Sequence, residues 1–229
     1  MTLAFHNAGI QPLWSGLDFR VESGEFLTVL GPNGVGKSTL LAAILGTRKL
    51  TAGSITATDR IGYIPQQRMF PSGLPLRARD LVSLSLAHGM LRSRSPKRRE
   101  VDELLARVGA SHLADRRAGS LSGGQQQLVR QAQALAGDPE LLLCDEPLLS
   151  LDLNMEKRTV ELLKHSGATV VFVTHSINPV MRATDRVLYL APHGHTVGTV
   201  SEVMRGEVLS ELYGTKVDVV RVDDRMVVI

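Results

Sequence analysis

The stretch from Phe26 to Leu45 leaves few folds open. A mostly apolar run, Phe26 to Leu30, has the length of a buried strand and leads without a linker into Gly31-Pro32-Asn33-Gly34-Val35-Gly36-Lys37-Ser38-Thr39, after which Lys37 to Leu45 reads as a helix. A strand turned by glycines straight into a helix N-terminus is a unit of a parallel α/β sheet. The turn fits the phosphate-loop pattern G-x-x-x-x-G-K-S/T, and its strand-before, helix-after context is the one that pattern requires. Glycines 31, 34 and 36 let successive backbone N–H groups face an anion, and the helix dipole adds its positive end. Lys37 supplies charge and Ser38 a hydroxyl for a magnesium ion. The segment is therefore expected to hold a nucleoside triphosphate.

The remaining pattern alternates in the same sense. Leu17, Phe19 and Val21 alternate before a Ser23-Gly24 turn, and Gly53 to Thr58 and Ile61 to Ile64 read as strands, the second closed by Pro65. From Pro71 to Leu121 the pattern is helical, with Val101, Leu104, Leu105 and Val108 at i, i+3, i+4 and i+7 behind a Ser95-Pro96 start signal. Leu141 to Cys144 and Ala168 to Val173 read as strands around a helix from Asn154 to Lys164, followed by a shorter helix and a strand ending at Leu190. The expected class is α/β, a largely parallel sheet with helices on both faces. At 229 residues and 43% hydrophobic content the chain can bury one sizeable core. A net charge of +3 does not by itself call for nucleic acid, and the Arg92 to Arg99 basic run reads as a solvated face. The single cysteine, Cys144, excludes an internal disulfide and fits a reducing compartment. No apolar stretch approaches membrane-spanning length and no signal-peptide layout is present, so membrane association is expected only through a partner.

A second segment narrows the choice. Leu121-Ser122-Gly123-Gly124-Gln125 precedes a helix-forming stretch, Gln126 to Ala136, and then Leu141-Leu-Leu-Cys144-Asp145-Glu146-Pro147. With the phosphate loop, these segments resemble the ATP-binding cassette (ABC) family over nearly the whole chain. The resemblance implies a P-loop NTPase (RecA-like) core with an antiparallel β lobe, residues 1–65 and 140–229, and an inserted helical lobe, residues 66–139, in a single ATPase domain. It also implies ATP hydrolysis with Mg2+, by a dimer in which Ser122, Gly123, Gly124 and Gln125 of one copy close over the γ-phosphate held by residues 31–39 of the other.

By the same resemblance Asp145 holds magnesium with Ser38, and Glu146 acts as general base on the attacking water. Gln66, after Gly62-Tyr63-Ile64-Pro65, reaches metal and water, with Gln67 as the alternative one residue on. His175, after Val170-Val-Phe-Val-Thr174, is the switch histidine at the γ-phosphate, with Ser176 in place of the family's usual Asp and suited to cap a following helix. Asp152, in Ser150-Leu151-Asp152, lies on the loop that crosses the dimer interface. One departure stands out: Ala8 occupies the place of the family's adenine-stacking aromatic, leaving Phe5, His6 and Trp14 as possible substitutes. Weak discrimination between ATP and GTP is the expected consequence.

A lone cassette resembles the nucleotide-binding subunit of a bacterial importer, on the cytoplasmic face of the membrane beneath a transmembrane permease subunit and served indirectly by an extracellular solute-binding protein. The region with Phe70-Pro71 and Leu74-Pro75-Leu76 is where such subunits meet the permease. Arg60 to Gln66, Thr174 to Val180, Asp185 to Leu190 and Val208 to Gly214, before a final strand pair, resemble the zinc or manganese branch; iron-siderophore and haem importers are the alternative. His193-Gly194-His195 reads as a solvated turn rather than a metal site. A soluble cassette acting on nucleic acid or in cofactor assembly is the rival from another class, but it typically carries two cassettes, a long coiled coil or zinc modules, and none is seen. A regulatory cassette without turnover is a third reading, opposed by the intact Lys37, Asp145, Glu146 and His175.

Overall fold

The structure, a computed structural model, describes residues 1–66, 69–87, 97–222 and 225–228. Strands β1 (Leu3–Ile10), β2 (Trp14–Val21), β3 (Phe26–Leu30), β4 (Ala52–Ala57) and β5 (Ile61–Ile64) fill the first part of the chain, with helix α1 (Lys37–Ile44) after the phosphate loop. Helices α2 (Ala78–Ala87), α3 (Arg98–Arg107) and α4 (Gly123–Ala134) come next, then β6 (Leu141–Asp145), α5 (Leu153–Lys164), β7 (Thr169–Val173), β8 (Arg186–Ala191) and β9 (Gly194–Gly198). Two short helices, α6 (Val200–Val203) and α7 (Gly206–Tyr213), and the hairpin β10 (Val219–Val222) and β11 (Arg225–Val228) finish the fold.

The main sheet has the order β5-β6-β7-β3-β8-β9; its first five strands run parallel and β9 is antiparallel to β8. Every residue of β3, β6 and β7 is buried, the pattern of parallel strands covered on both faces. Alternation along β3 assigns the faces. Leu27 and Val29 pack with Leu40 and Leu41 of α1 and with the three-stranded antiparallel sheet β2-β1-β4, while Phe26 and Leu30 pack towards the helical side. There Phe26 stacks on Phe172 with ring centroids 5.5 Å apart. The periodic apolar positions of α3 behave as expected: Val101, Leu104, Leu105 and Val108 are all buried. Ser95 and Pro96 lie outside the described residues.

Two local expectations are corrected. No helix follows His175; residues 178–183 form successive turns. Pro179 disfavours helical backbone at Asn178, and the Asn178 amide is hydrogen-bonded to Met226 instead. Ser176 thus caps no helix, and its N–H is bonded to Thr174 Oγ1. The two histidines also part company. His193 sits in the β8–β9 turn, whereas His195 is on β9 opposite Leu190, half-buried, with its pKa pushed down by burial.

Candidate nucleotide site

Parallel strands deliver their carboxyl ends to one edge. Val29 pairs with Val173, Asp145 with Val173 and Ile64 with Cys144, so the segments following β3, β5, β6 and β7 emerge side by side. That edge gathers the phosphate loop, Gln66, Asp145, Glu146 and His175. Gln66 is exposed two residues beyond β5, and the alternative Gln67 lies outside the described residues.

The loop is shaped by its glycines. Gly31, at φ 143°, passes so close to β8 that a Cβ there would lie 2.1 Å from the Leu190 carbonyl oxygen. Gly34, at φ 87°, opens into free space on the outer side, where Asn33 and Ser38 are also exposed. Pro32 and Val35 are half-buried, and no side chain caps α1 behind Gly36. Lys37 is only 6% exposed and folds back over the loop, its Nζ donating to the carbonyls of Gly31 at 2.7 Å and Pro32 at 2.9 Å. Burial lowers its pKa, against the pull of Glu146 and Asp145. Thr39, half-buried, follows Ser38 on the first turn.

Ser38 Oγ donates to Asp145 Oδ1 at 3.2 Å across 107 residues of sequence. Asp145 is 3% exposed, and burial raises its pKa; the Ser38 hydrogen bond and Lys37 oppose the shift and Glu146 adds to it. Glu146 takes a left-handed backbone, φ 48°, while its N–H is bonded to the Val173 carbonyl at 3.0 Å. A glutamate held in that region is strained, and such strain collects at functional positions. Glu146 and the exposed His175 both line a cavity of about 170 Å3. Two hard oxygen donors, Ser38 Oγ and Asp145 Oδ1, stand side by side and suit magnesium by type.

Ser122 to Gln125 are built differently and face elsewhere. Ser122 caps α4, its Oγ accepting from Gln125 N at 3.4 Å while Gln125 Oε1 accepts from Ser122 N at 3.1 Å. This reciprocal cap starts the helix at Gly123, ahead of the expected Gln126; the Ser-x-x-Gln spacing is its sequence signal. Gly124 lies close under the next loop, where a Cβ would sit 3.2 Å from the Ser150 carbonyl oxygen. Asp152 caps α5, accepting from the N–H groups of Asn154 and Met155 at 2.9 Å each. Together with His112 and Met69, Ser122 to Gln125 and Asp152 line a separate cavity of about 770 Å3.

The surroundings of the phosphate loop depart from the expected base site. Ala8 is fully buried in β1, and Phe5 is buried with its ring stacked on Phe19 at 4.6 Å. His6 is exposed on β1. Trp14 is 7% exposed and abuts the loop: a Cβ on Gly36 would be 3.0 Å from its Nε1 and 3.1 Å from Leu13. In the expected permease-facing region the side chains of Phe70, Leu74 and Leu76 are half-buried. Phe70 carries the Arg130 guanidinium on its ring at 4.3 Å, and Leu74 and Leu76 pack half-buried against the core. Further exposed apolar surface lies on Tyr63 and Leu84, which with Arg130 and Gln133 line a groove of about 520 Å3.

Residues 14–149, more than half of the sequence, match the ABC transporter family. The chain belongs to that family. Over 212 residues it is 39% identical to the zinc import ATP-binding protein ZnuC of Cereibacter sphaeroides, covering 90% of this chain and 84% of the relative. ZnuC of Paracoccus denitrificans is 36% identical over 220 residues, covering 93% and 84%. Among solved structures, a metal-chelate type ABC transporter in an inward-facing conformation superposes with a TM-score of 0.82 at 30% identity, over 99% of this chain and 95% of that one. A dimer of the ATP-binding cassette MJ0796 with ADP and Pi does so at 0.75 and 27% identity, over 87% and 99%. The fold is the ABC nucleotide-binding fold, a P-loop core with an antiparallel β subdomain, and the protein is an ABC ATPase that binds ATP and hydrolyses it to drive transport. Cassettes of this family dimerise and work with transmembrane subunits. Among the described residues no helix is long and apolar enough to cross a membrane.

Proposed function

We propose that this ATPase powers an importer of metal ions, zinc or manganese, by closing with a second copy of itself around two molecules of ATP. The separation of the two clusters carries the reading: Lys37, Ser38, Asp145, Glu146 and His175 share one sheet edge, while Ser122 to Gln125 cap another helix beside another cavity. One chain then offers two half-sites, and a second copy completes both.

The chemistry follows from the side chains. Backbone N–H groups of residues 33–39 receive the phosphates, and the Lys37 ammonium exchanges the Gly31 and Pro32 carbonyls for phosphate oxygens. Ser38, Asp145 and Gln66 would hold a magnesium ion, which would supply positive charge for the phosphate oxygens. Glu146 takes the proton of the attacking water, and His175 donates a hydrogen bond to the transferring γ-phosphoryl group. The partner's signature turn adds the positive end of α4 on the opposite side. Asp152, fixed by its cap, holds the loop at the interface between the copies.

A transmembrane permease subunit docks in the groove of Tyr63, Leu84 and Arg130, placing the chain on the cytoplasmic face of the membrane; an extracellular solute-binding protein acts indirectly. The ZnuC similarity supports zinc. Chelated iron or haem is the second reading, favoured by the likeness to the metal-chelate type transporter. In either case selectivity for the cargo is assigned to the transmembrane and solute-binding subunits, and a zinc titration of the isolated chain should show no tight site.

Light scattering of purified Glu146→Gln protein with and without Mg·ATP tests the two-copy mechanism, with an ATP-dependent change from monomer to dimer expected. A chain that stays monomeric, together with a wild type that shows no turnover, would overturn it. Cells lacking the protein should lose growth under metal limitation and regain it with zinc or manganese salts; rescue by an iron chelate alone would move the cargo to the second reading.

A further inference from the structure

We propose that Asn178 is a positioning residue for His175, and that it acts by tying the segment after β7 to the C-terminal hairpin. The inference rests on the reading of His175 above. Its observation is a two-way amide pairing: Asn178 Nδ2 donates to the Met226 carbonyl at 2.9 Å, and Asn178 Oδ1 accepts from the Met226 N–H at 2.8 Å. The side chain thereby acts as a one-residue strand beside β11, satisfying both backbone groups of Met226.

The pairing matters because of what it brackets. Thr174 is held on one side, its N–H bonded to the Val29 carbonyl of β3 at 3.1 Å and its Oγ1 to Ser176. On the other side Ile177 and Val180 are buried. With Asn178 bonded to β11, His175 and Ser176 span a short segment fixed at both ends, so the imidazole's approach is set before nucleotide arrives. The hairpin is not part of the main sheet. It is seated by Val219 and Met226 against the core, and Ser210 Oγ accepts from the N–H of the preceding Val217 at 2.9 Å. A cavity of about 480 Å3 separates β11 from the phosphate loop, with Asn33 and His175 on one wall and Met226 and Val228 on the other. The C-terminal strand is therefore a fixed reference for the γ-phosphate side of the site.

Turnover and nucleotide binding in the full-length Asn178→Ala protein test this. The expected result is a fall in kcat on the order of tenfold, as two lost hydrogen bonds allow, with KM for ATP within about twofold of wild type because the Lys37 and Ser38 side is untouched. Asn178→Asp keeps the acceptor for the Met226 N–H but sets a carboxylate against the Met226 carbonyl, so it should fold and still lose most of the rate. In a His175→Ala background, Asn178→Ala should cost nothing further in single-turnover assays, since both changes act on one group. Unchanged kcat per ATP-binding chain with only a lowered melting temperature, or full additivity with His175→Ala, would overturn the proposal. A His175→Ala protein with wild-type turnover would instead overturn the role of His175 itself; an inactive His175→Ala beside a fully active Asn178→Ala sinks this inference alone.

Discussion

Gly31→Ala and Gly34→Ala look alike in sequence and should behave very differently. Both glycines have positive φ, 143° and 87°, so an alanine at either carries a backbone cost of about 1–2 kcal/mol. At Gly34 nothing lies within 4 Å of the added methyl, and that cost is the whole of it. At Gly31 the methyl would sit 2.1 Å from the Leu190 carbonyl oxygen. Ordinary carbon–oxygen contacts lie at about 3.3 Å, an overlap of roughly 1 Å. Leu190 cannot withdraw cheaply, because β8 is paired with β3 on one side and β9 on the other. Overpacking of this kind adds about 1–3 kcal/mol, so Gly31→Ala should lose about 2–5 kcal/mol in all. For a chain of this size each kcal/mol moves Tm by about 2–4 °C, giving losses of about 4–20 °C for Gly31→Ala against about 2–8 °C for Gly34→Ala. Circular dichroism melts without nucleotide measure both. ATP binding should fail in each, at Gly34 because the methyl occupies the outer face on which phosphates would rest. A Gly31→Ala protein melting as high as Gly34→Ala would refute the reasoning, since the close approach to Leu190 would then carry no energy.

Asp145→Asn should stabilise the nucleotide-free chain at neutral pH while abolishing magnesium-dependent turnover. Burial raises this carboxyl's folded pKa above its unfolded value, so its contribution to stability is full below about pH 4 and is lost as pH rises through the folded pKa. The variant's Tm advantage should accordingly shrink on acidification, and a lower Tm at pH 7 would contradict the assignment. Trp14, the single tryptophan, abuts Gly36 and should report nucleotide by a change in fluorescence. Titrated this way, ATP and GTP should differ by no more than about threefold in Kd, because the ~1–3 kcal/mol of base–aromatic stacking is missing for both; a large preference for ATP would show that another residue reads the base.

Much of the fold was legible because its signals are short-range. Phe26 to Leu30 and Lys37 to Ile44 lie where the run and the glycines placed them, and α3 with its C-cap residue Val108 buries the four periodic positions that marked it as a helix. The failures were contests that local pattern does not decide. The stretch after His175 has helix-compatible residues, but Pro179 and the Met226 pairing hold it in turns. His195 looked solvated beside a glycine, and its pairing with Leu190 half-buries it.

By itself the sequence determined the phosphate loop, the capped start of the signature helix and most of the succession of strands and helices. Each of these depends on residues within a turn or two of one another, through glycine φ, side-chain capping and hydrophobic period. Only the tertiary structure decided that Ser38 meets Asp145, that Lys37 is buried over its own loop, that Trp14 abuts Gly36 and that Asn178 is bound to the C-terminal strand. Those contacts join residues brought together by the strand order β5-β6-β7-β3-β8-β9, and that order comes from burying both faces of one sheet at once, a condition no short window of sequence contains.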